Sequence, residues 1–307
     1  MDLKTNITPP PSMEKIGSKS TLSNSAFLAE IRYFFKMNKL AFLGFIIIVT
    51  LILLALLAPL IIPYPNDVAL ETHVENKLQP PSADHWFGTD ELGRDLFSRV
   101  IYGTRVSFQI GLIAIGLAVL IGIPLGLIAG YFGRWVDEVI MRISDVFLSF
   151  PPLLLSIAIA ALLGPSLTNL MIAISISWWP WYTRLIRGQV VSLRERGFVE
   201  AAQAMGVPSW KVIARHILPN SMAPVIVQIS MDFGSIILTA ASLSFLGLGA
   251  QPPLPEWGLL INIGRNFFLT NWWYVTFPGL FIFISVMAFN LFGDGLRDYL
   301  DPKTRDS

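Results

Sequence analysis

No cysteine occurs in the 307 residues, which excludes a disulfide framework, a thiolate-bound metal and a thiol redox switch. Charge is scarce. Twenty-two Lys and Arg and 21 Asp and Glu amount to 14% of the chain and leave a net charge of +1. That balance provides no global attraction to nucleic acid or to an acidic partner, so only the local placement of charge is informative. There is no G-x-x-x-x-G-K-[ST] phosphate loop and not even a Gly-Lys dipeptide, which argues against ATP binding of the P-loop kind. The three histidines, His73, His85 and His216, stand away from metal-ligand spacing, and H-E-x-x-H and G-x-S-x-G are missing. No catalytic residue, metal site or cofactor is expected within this chain.

Apolar residues are abundant: 53% of the chain is hydrophobic, with a mean hydropathy of +0.60. The composition is that of an all-α polytopic membrane protein. A bilayer core of ~30 Å needs about 20 mostly apolar helical residues, and six such runs occur: Leu40 to Ile62, Val106 to Gly130, Val146 to Leu163, Leu167 to Tyr182, Met222 to Leu248 and Trp272 to Phe292. The first run is longer than the ~7–15 apolar residues of a signal-peptide core and is expected to be retained. Residues 1–39 form a polar N-terminal segment, of which 1 to about 25 lack the apolar periodicity needed to offset ordering entropy and are expected to be disordered.

Lys and Arg divide unequally between the two sides. Lys4, Lys15, Arg32, Arg134, Arg142, Arg184, Arg187, Arg194, Lys211 and Arg297 are among many on one side, against Lys77, Arg94, Arg99, Arg105 and Arg265 on the other. By the positive-inside rule both termini are cytoplasmic. This makes 63–105 an extracytoplasmic loop and 183–221 a cytoplasmic loop within a 106–292 core, with 293–307 a cytoplasmic tail. Trp178, Trp179, Trp181, Tyr182, Trp272, Trp273 and Tyr274 sit near the proposed interfaces and are expected to act as anchors.

The cytoplasmic loop contains "EAAQAMGVPSWKVIARHILPN". Phe198, Ala201, Ala202 and Met205 follow i, i+3, i+4, i+7 spacing and predict one apolar face of a short helix. Gly206 offers positive φ at its end, and Pro208 opens a second helix expected to stop before Pro219. A helix of about eight residues is not stable alone in water. Its small alanine face suits a protein groove better than lipid, so docking onto a cytoplasmic partner is expected.

Glu200-Ala201-Ala202, with Gly206 beyond and His216-Ile217-Leu218-Pro219 following, resembles the EAA signature of permease subunits in bacterial ABC importers. "HWFGTDELGRDLFSRVIYGTRVS" (85–107), "LSFLGLGAQPPLPEWG" (243–258) and "FNLFGDGLRDYLDP" (289–302) are similar to hallmarks of the dipeptide/oligopeptide/nickel permeases, specifically the C-type subunit. The resemblance implies a type I importer permease in the cytoplasmic (inner) membrane. It also implies a heterodimer with a second homologous permease, two cytoplasmic ATPases that bind ATP and Mg, and an extracytoplasmic substrate-binding protein. Glu200, Ala201, Ala202, Met205, Gly206, Pro208, His216 and Pro219 would form the ATPase-coupling element. Peptides are the expected substrate, with nickel or glutathione as alternatives.

The 63–105 loop is acidic, and Leu92, Leu96, Arg99 and Tyr102 predict a short helix lying flat at the membrane surface. Asp90, Arg94 and Asp95 are candidates for docking the binding protein. In the fifth run, Gln228, Asp232, Ser235, Thr239 and Ser242 recur at steps of four and three and so share a helical face. A charge near mid-membrane costs at least ~2.5–3.5 kcal/mol, so Asp232 is expected to face protein or water and the stripe to line a translocation path. A proton-coupled transporter titrating Asp232 is the rival reading, and a non-transporting scaffold a third.

Overall fold

The computed structural model describes residues 34–36 and 38–300. Expectations about the first 25 residues and about 301–307 therefore fall outside the described residues. Among the described residues the regular structure is helical, apart from one isolated bridge between Thr89 and Asp95. The helices are α1 (Lys39–Ile61), α2 (Leu96–Phe132), α3 (Arg134–Leu148), α4 (Pro152–Leu163), α5 (Leu167–Arg194), α6 (Gly197–Ala204), α7 (Ser209–Val212), α8 (Leu218–Phe245), α9 (Trp257–Gly264) and α10 (Trp273–Leu300).

The bundle is organised around α2 and α5. Along α2, Gly111, Ala114, Ala118, Gly122, Gly126 and Gly130 recur almost every four residues and are all buried. The stripe brings the two backbones into contact, as small residues do within membranes. A Cβ on Gly122 would lie 2.6 Å from the Tyr182 Cβ, and one on Gly126 2.5 Å from the Thr183 carbonyl oxygen. Hydroxyls then bridge the helices: Ser175 Oγ donates to the Ala114 carbonyl at 3.1 Å, and Thr183 Oγ1 to the Gly122 carbonyl at 3.2 Å. In α1, Ala41, Gly44, Ile48, Leu51, Ala55 and Ala58 form a comparable buried stripe, while Leu40, Leu53, Leu56 and Leu60 on its other faces are exposed.

Several expected boundaries need correction. Among the described residues four helices are long and apolar enough to cross a membrane, five if α3 and α4 count as one broken span. α5 has the length, at 28 residues, but falls short of that apolarity. The third run is not a continuous helix. α3 and α4 meet at 87°, because Pro152 lacks an N–H and forces Pro151 out of the helical region, to ψ 130°. The flat surface helix expected near residue 96 is instead the first turns of α2, which begins directly after Asp95 and runs 37 residues.

α5 does not stop at Tyr182. It continues to Arg194 because its polar end finds partners: Arg184 pairs with Asp145, Arg187 with Asp137 at 2.6 Å, and Arg194 donates to the Tyr131 carbonyl at 3.1 Å. Residues 183–194 of the expected loop are thus helical. Likewise α10 runs past Phe292 to Leu300, with Gly293 packed on Met231 and Gly295 on Ala41. Most of the expected aromatic anchors face inward. Trp178, Trp179, Tyr182, Trp273 and Tyr274 are buried, and only Trp181 and Trp272 remain exposed.

Gly126→Ile should push α2 from α5 and lower the thermal midpoint of the detergent-purified protein, by an amount equivalent to about 1–3 kcal/mol or more. Gly116→Ala, on the same helix but with nothing within 4 Å of the added carbon, should leave it nearly unchanged. Equal effects would contradict the close α2–α5 contact.

Candidate coupling surface and translocation face

α6 begins after Arg196 and ends in a turn closed by two crossed hydrogen bonds. Val207 N donates to the Ala202 carbonyl at 3.1 Å and Gly206 N to the Gln203 carbonyl at 2.9 Å, the pattern that places a left-handed residue just past a helix end. Gly206 occupies it at φ +75° with open space around its Cα. The requirement for glycine here is therefore conformational rather than steric.

The expected apolar face of α6 splits in two. Ala202 lies inside, at 3% exposure, and packs with Val199 into the bundle core. Phe198, Ala201 and Met205 point out, Met205 at 77% exposure, together with Glu200. Ala202 is thus an anchor of the helix, not part of its free surface. Gln203 Nε2 adds a hydrogen bond to the Tyr131 hydroxyl at 3.3 Å, tying α6 to the end of α2. Beyond Pro208, Trp210 is exposed at 66% with the Lys211 ammonium 5.4 Å from its ring, so the outward surface extends onto α7.

The second helix does not end before Pro219. α7 passes into a π-helical turn, Ile213–Ile217, and from there into α8. Pro219 cannot donate to the ladder, and its ring would clash with a carbonyl in α-helical register. The wider turn accommodates this: Leu218 N reaches the Ile213 carbonyl five residues back, and Asn220 Nδ2 takes the His216 carbonyl at 2.6 Å. His216 is half-buried, with its ring 6.5 Å from that of Phe198. The turn therefore joins the outward surface to a membrane helix without a flexible break.

Further along α8 the polar stripe divides into different environments. Asp232 accepts from the Tyr182 hydroxyl at 2.9 Å and from Gln228 Nε2 at 2.9 Å. Thr239 is buried, Ser235 is exposed beside exposed Leu238, and Ser242 donates back to the Leu238 carbonyl at 2.8 Å. Five residues on one helical face do not make one uniform lining, because α5 covers part of it. Tyr182, read from sequence as an interface anchor, is fully buried and holds Asp232.

Residues 122–306 match the family model described as binding-protein-dependent transport system inner membrane component, and residues 26–81 match the N-terminal TM domain of oligopeptide transport permease C. The chain belongs to this family of transport permeases. It is 53% identical over 270 residues to a dipeptide transport system permease protein of Alkalihalophilus pseudofirmus, covering 88% of each chain. A probable D,D-dipeptide transport system permease protein of Escherichia coli is 48% identical, covering 90% of this chain and 91% of that one. A glutathione transport system permease protein of Pectobacterium atrosepticum is 45% identical, covering 84% and 85%. Among solved structures, an inward-facing methionine ABC transporter matches with a TM-score of 0.54 at 16% identity, over 67% of this chain and 98% of that one, a likeness of fold. The permease is thus a multi-pass inner-membrane transport subunit.

On its other side, the permease uses Asp90, Arg94 and Asp95 differently from the docking surface expected. All three are buried, at 0%, 4% and 1% exposure. Asp90 accepts from Arg94 Nε at 2.7 Å and lies 3.3 Å from Arg99 Nε. Asp95 caps α2 by accepting from Ser98 N at 2.7 Å and holds His85 Nδ1 at 2.9 Å, while its own N–H reaches Asp67 at 2.6 Å. Arg99 also donates to the carbonyls of Asp67 and Pro253. The loop before α2 is held by charges that pair internally, since unpaired charges at such burial are strongly unfavourable. Burial also raises the carboxyl of Glu256 above the ordinary glutamate range, opposed by hydrogen bonds from Gly258 N and Leu259 N as it caps α9. Asp67, Glu71 and His73 bring ligand atoms within 4.8 Å, but Asp67 is already taken by His73 and Asp95.

Tyr182→Phe removes one of the two hydrogen bonds to Asp232 and should destabilise the permease by about 1–3 kcal/mol. Thermal unfolding of the purified protein checks this. An unchanged midpoint would mean that the α5–α8 contact does not depend on the carboxylate.

Proposed function

We propose that the chain is one transmembrane subunit of an ATP-driven importer that carries peptides across the inner membrane. The observation that carries this reading is the outward row of Phe198, Ala201 and Met205 on a helix whose opposite face is built into the bundle. Eight residues presenting apolar side chains to solvent need a partner, and a cytoplasmic ATPase fits the role. The assembly comprises this chain, a second homologous permease, two ATP-binding subunits that hold ATP and Mg, and an extracytoplasmic binding protein. Both termini lie in the cytoplasm.

The proposed mechanism follows from the continuity of α6, α7 and α8. Nucleotide-driven movement of the ATPases displaces α6. The rigid turn at Gly206 passes that displacement to α7, and the π-helical segment passes it to α8 and its polar residues. Differential affinity of the ATPases for two arrangements of the membrane helices supplies the coupling free energy. Gln228, Asp232, Ser235, Thr239 and Ser242 then lie on the element that moves, with Ser235 as the open position of the set.

Peptide import is favoured as substrate class because two of the named relatives are dipeptide systems, and the glutathione relative transports a peptide-like solute by name. Nickel has no comparable support. A proton-coupled carrier acting through Asp232 fits less well, since both carboxylate oxygens are engaged by Tyr182 and Gln228.

The test is peptide uptake and ATP hydrolysis by the assembled complex in vesicles, with and without binding protein. Binding protein loaded with peptide should stimulate hydrolysis, and uptake should survive dissipation of the proton gradient. Gly206→Val, which forces a β-branched residue to positive φ at a cost of about 1–2 kcal/mol, should leave insertion intact and sharply weaken that stimulation. Uptake that needs the proton gradient and not the ATPase would overturn the proposal.

A further inference from the structure

The helix α3 has no place in the mechanism above, yet its geometry is unusual for a chain threading a membrane. Gly133 and Arg134, at φ +62° and +52°, turn the chain sharply out of α2, and after the 15 residues of α3 the Pro151-Pro152 break turns it by 87° into α4. α3 therefore lies nearly at right angles to α4. Trp135, Val139, Ile143 and Val146 fall at steps of four, four and three along it and are exposed at 72%, 48%, 50% and 62%, a single apolar stripe.

We propose that α3 is bedded in the cytoplasmic leaflet, with this stripe among the lipid acyl chains next to the headgroups. Three independent observations favour lipid as the occupant.

The first is depth. α3 is fastened to α5 by Asp145 to Arg184 and Asp137 to Arg187. At 1.5 Å per residue those attachment points lie about 26 and 30 Å from the other end of α5 at Leu167, close to the ~30 Å thickness of a bilayer's hydrocarbon core. The second is roll. The same ion pairs, with Ser144 fully buried and Phe147 edge-on to Trp179 at 5.4 Å, fix the rotation of α3 so that the stripe faces away from the bundle. Glu138 and Arg142, paired at 3.4 Å and largely exposed, occupy the polar edge beside it. The third is continuity. The stripe is flanked by exposed Phe132 at the end of α2 and by exposed Phe150, Leu153 and Leu154 leading into α4, so the apolar surface runs unbroken from span to surface helix. A tryptophan at the first turn suits the headgroup boundary.

α4, at 12 residues, covers only about 18 Å, and a leaflet-embedded α3 accounts for the remaining depth that this segment must occupy. The inference rests on the orientation proposed above only in naming the leaflet as cytoplasmic.

The test uses the absence of native cysteine in this chain. Nitroxide labels at Val139→Cys, Ile143→Cys and, on the polar edge, Glu138→Cys are placed in the assembled complex in lipid nanodiscs. Collision with membrane-soluble oxygen is then compared with collision with a water-soluble nickel chelate. The oxygen-to-nickel ratio should be several-fold higher at 139 and 143 than at 138. Nickel access at 139 and 143 equal to that at 138 would overturn the proposal in favour of a solvated face. Shielding of both sites from both reagents would overturn it in favour of a covering protein subunit. As a check free of labels, lipids brominated near the glycerol end should quench a fluorescence component that disappears in Trp135→Phe, and a quenching pattern identical in the two proteins would also count against it. Both readouts are independent of transport, so failure here leaves the importer reading intact.

Discussion

Contact between the backbones of α2 and α5 is the constraint on which the other positions depend. Within a bilayer there is no hydrophobic gain from bringing two apolar helices together, so association relies on close packing and on hydrogen bonds between them. The Gly122, Gly126, Gly130 series allows both, because Ser175 and Thr183 reach carbonyls on α2 only when no side chain intervenes. With α5 fixed in this way, Tyr182 is set at the height of Asp232, and the arginines beyond it are set at the height of α3. The polar contacts of α8 and the attachment of α3 both follow from one closely packed pair.

Helix α6 shows how a short helix can be rigid and still be exposed. Val199 and Ala202 secure α6 to the bundle, the turn at Gly206 is closed by two hydrogen bonds, and the π-helical segment carries α7 into α8. Pro219 has an unexpected part in this arrangement. A proline in a helix usually signals an end or a kink, but here the additional residue in the π turn absorbs it and keeps the path continuous. At the other end of α2, stiffness comes from charge: Asp90, Arg94, Arg99, Asp95 and Asp67 pair with one another beneath the surface, so that the preceding loop rests on the start of α2 as a fixed platform.

Much of this was legible in the amino-acid order. Apolar runs located α1, α2, α8 and α10, the Glu200 to Pro219 stretch announced its helix and turn, and Gly206 was identifiable as a left-handed position. The errors share a physical origin. Periodicity reports that one face differs from another, but not which neighbour covers it. Ala202 was therefore grouped with the outward residues, Asp90 and Arg94 with a docking surface, and Tyr182 with the interface anchors. Charged ends also misled, because Arg184 and Arg187 resemble loop residues until Asp145 and Asp137 are found opposite them.

The sequence by itself determined that the chain is helical and membrane-embedded, that it contains no P-loop motif, and that the polar stretch from Glu200 forms a short helix closed by a turn at Gly206. These properties reside in composition and in local spacing, which a linear pattern records fully. Only the tertiary structure decided which side of α6 is free, that Asp232 is held by Tyr182, and that α3 is pinned to α5 and bent sharply from α4 while α2 stands as a single long helix. Each of these depends on pairs of residues about 30 to 70 positions apart meeting in space, such as Asp145 with Arg184, Tyr182 with Asp232 and Tyr131 with Gln203, and side-chain burial and pairing at that range depend on packing rather than on local propensity.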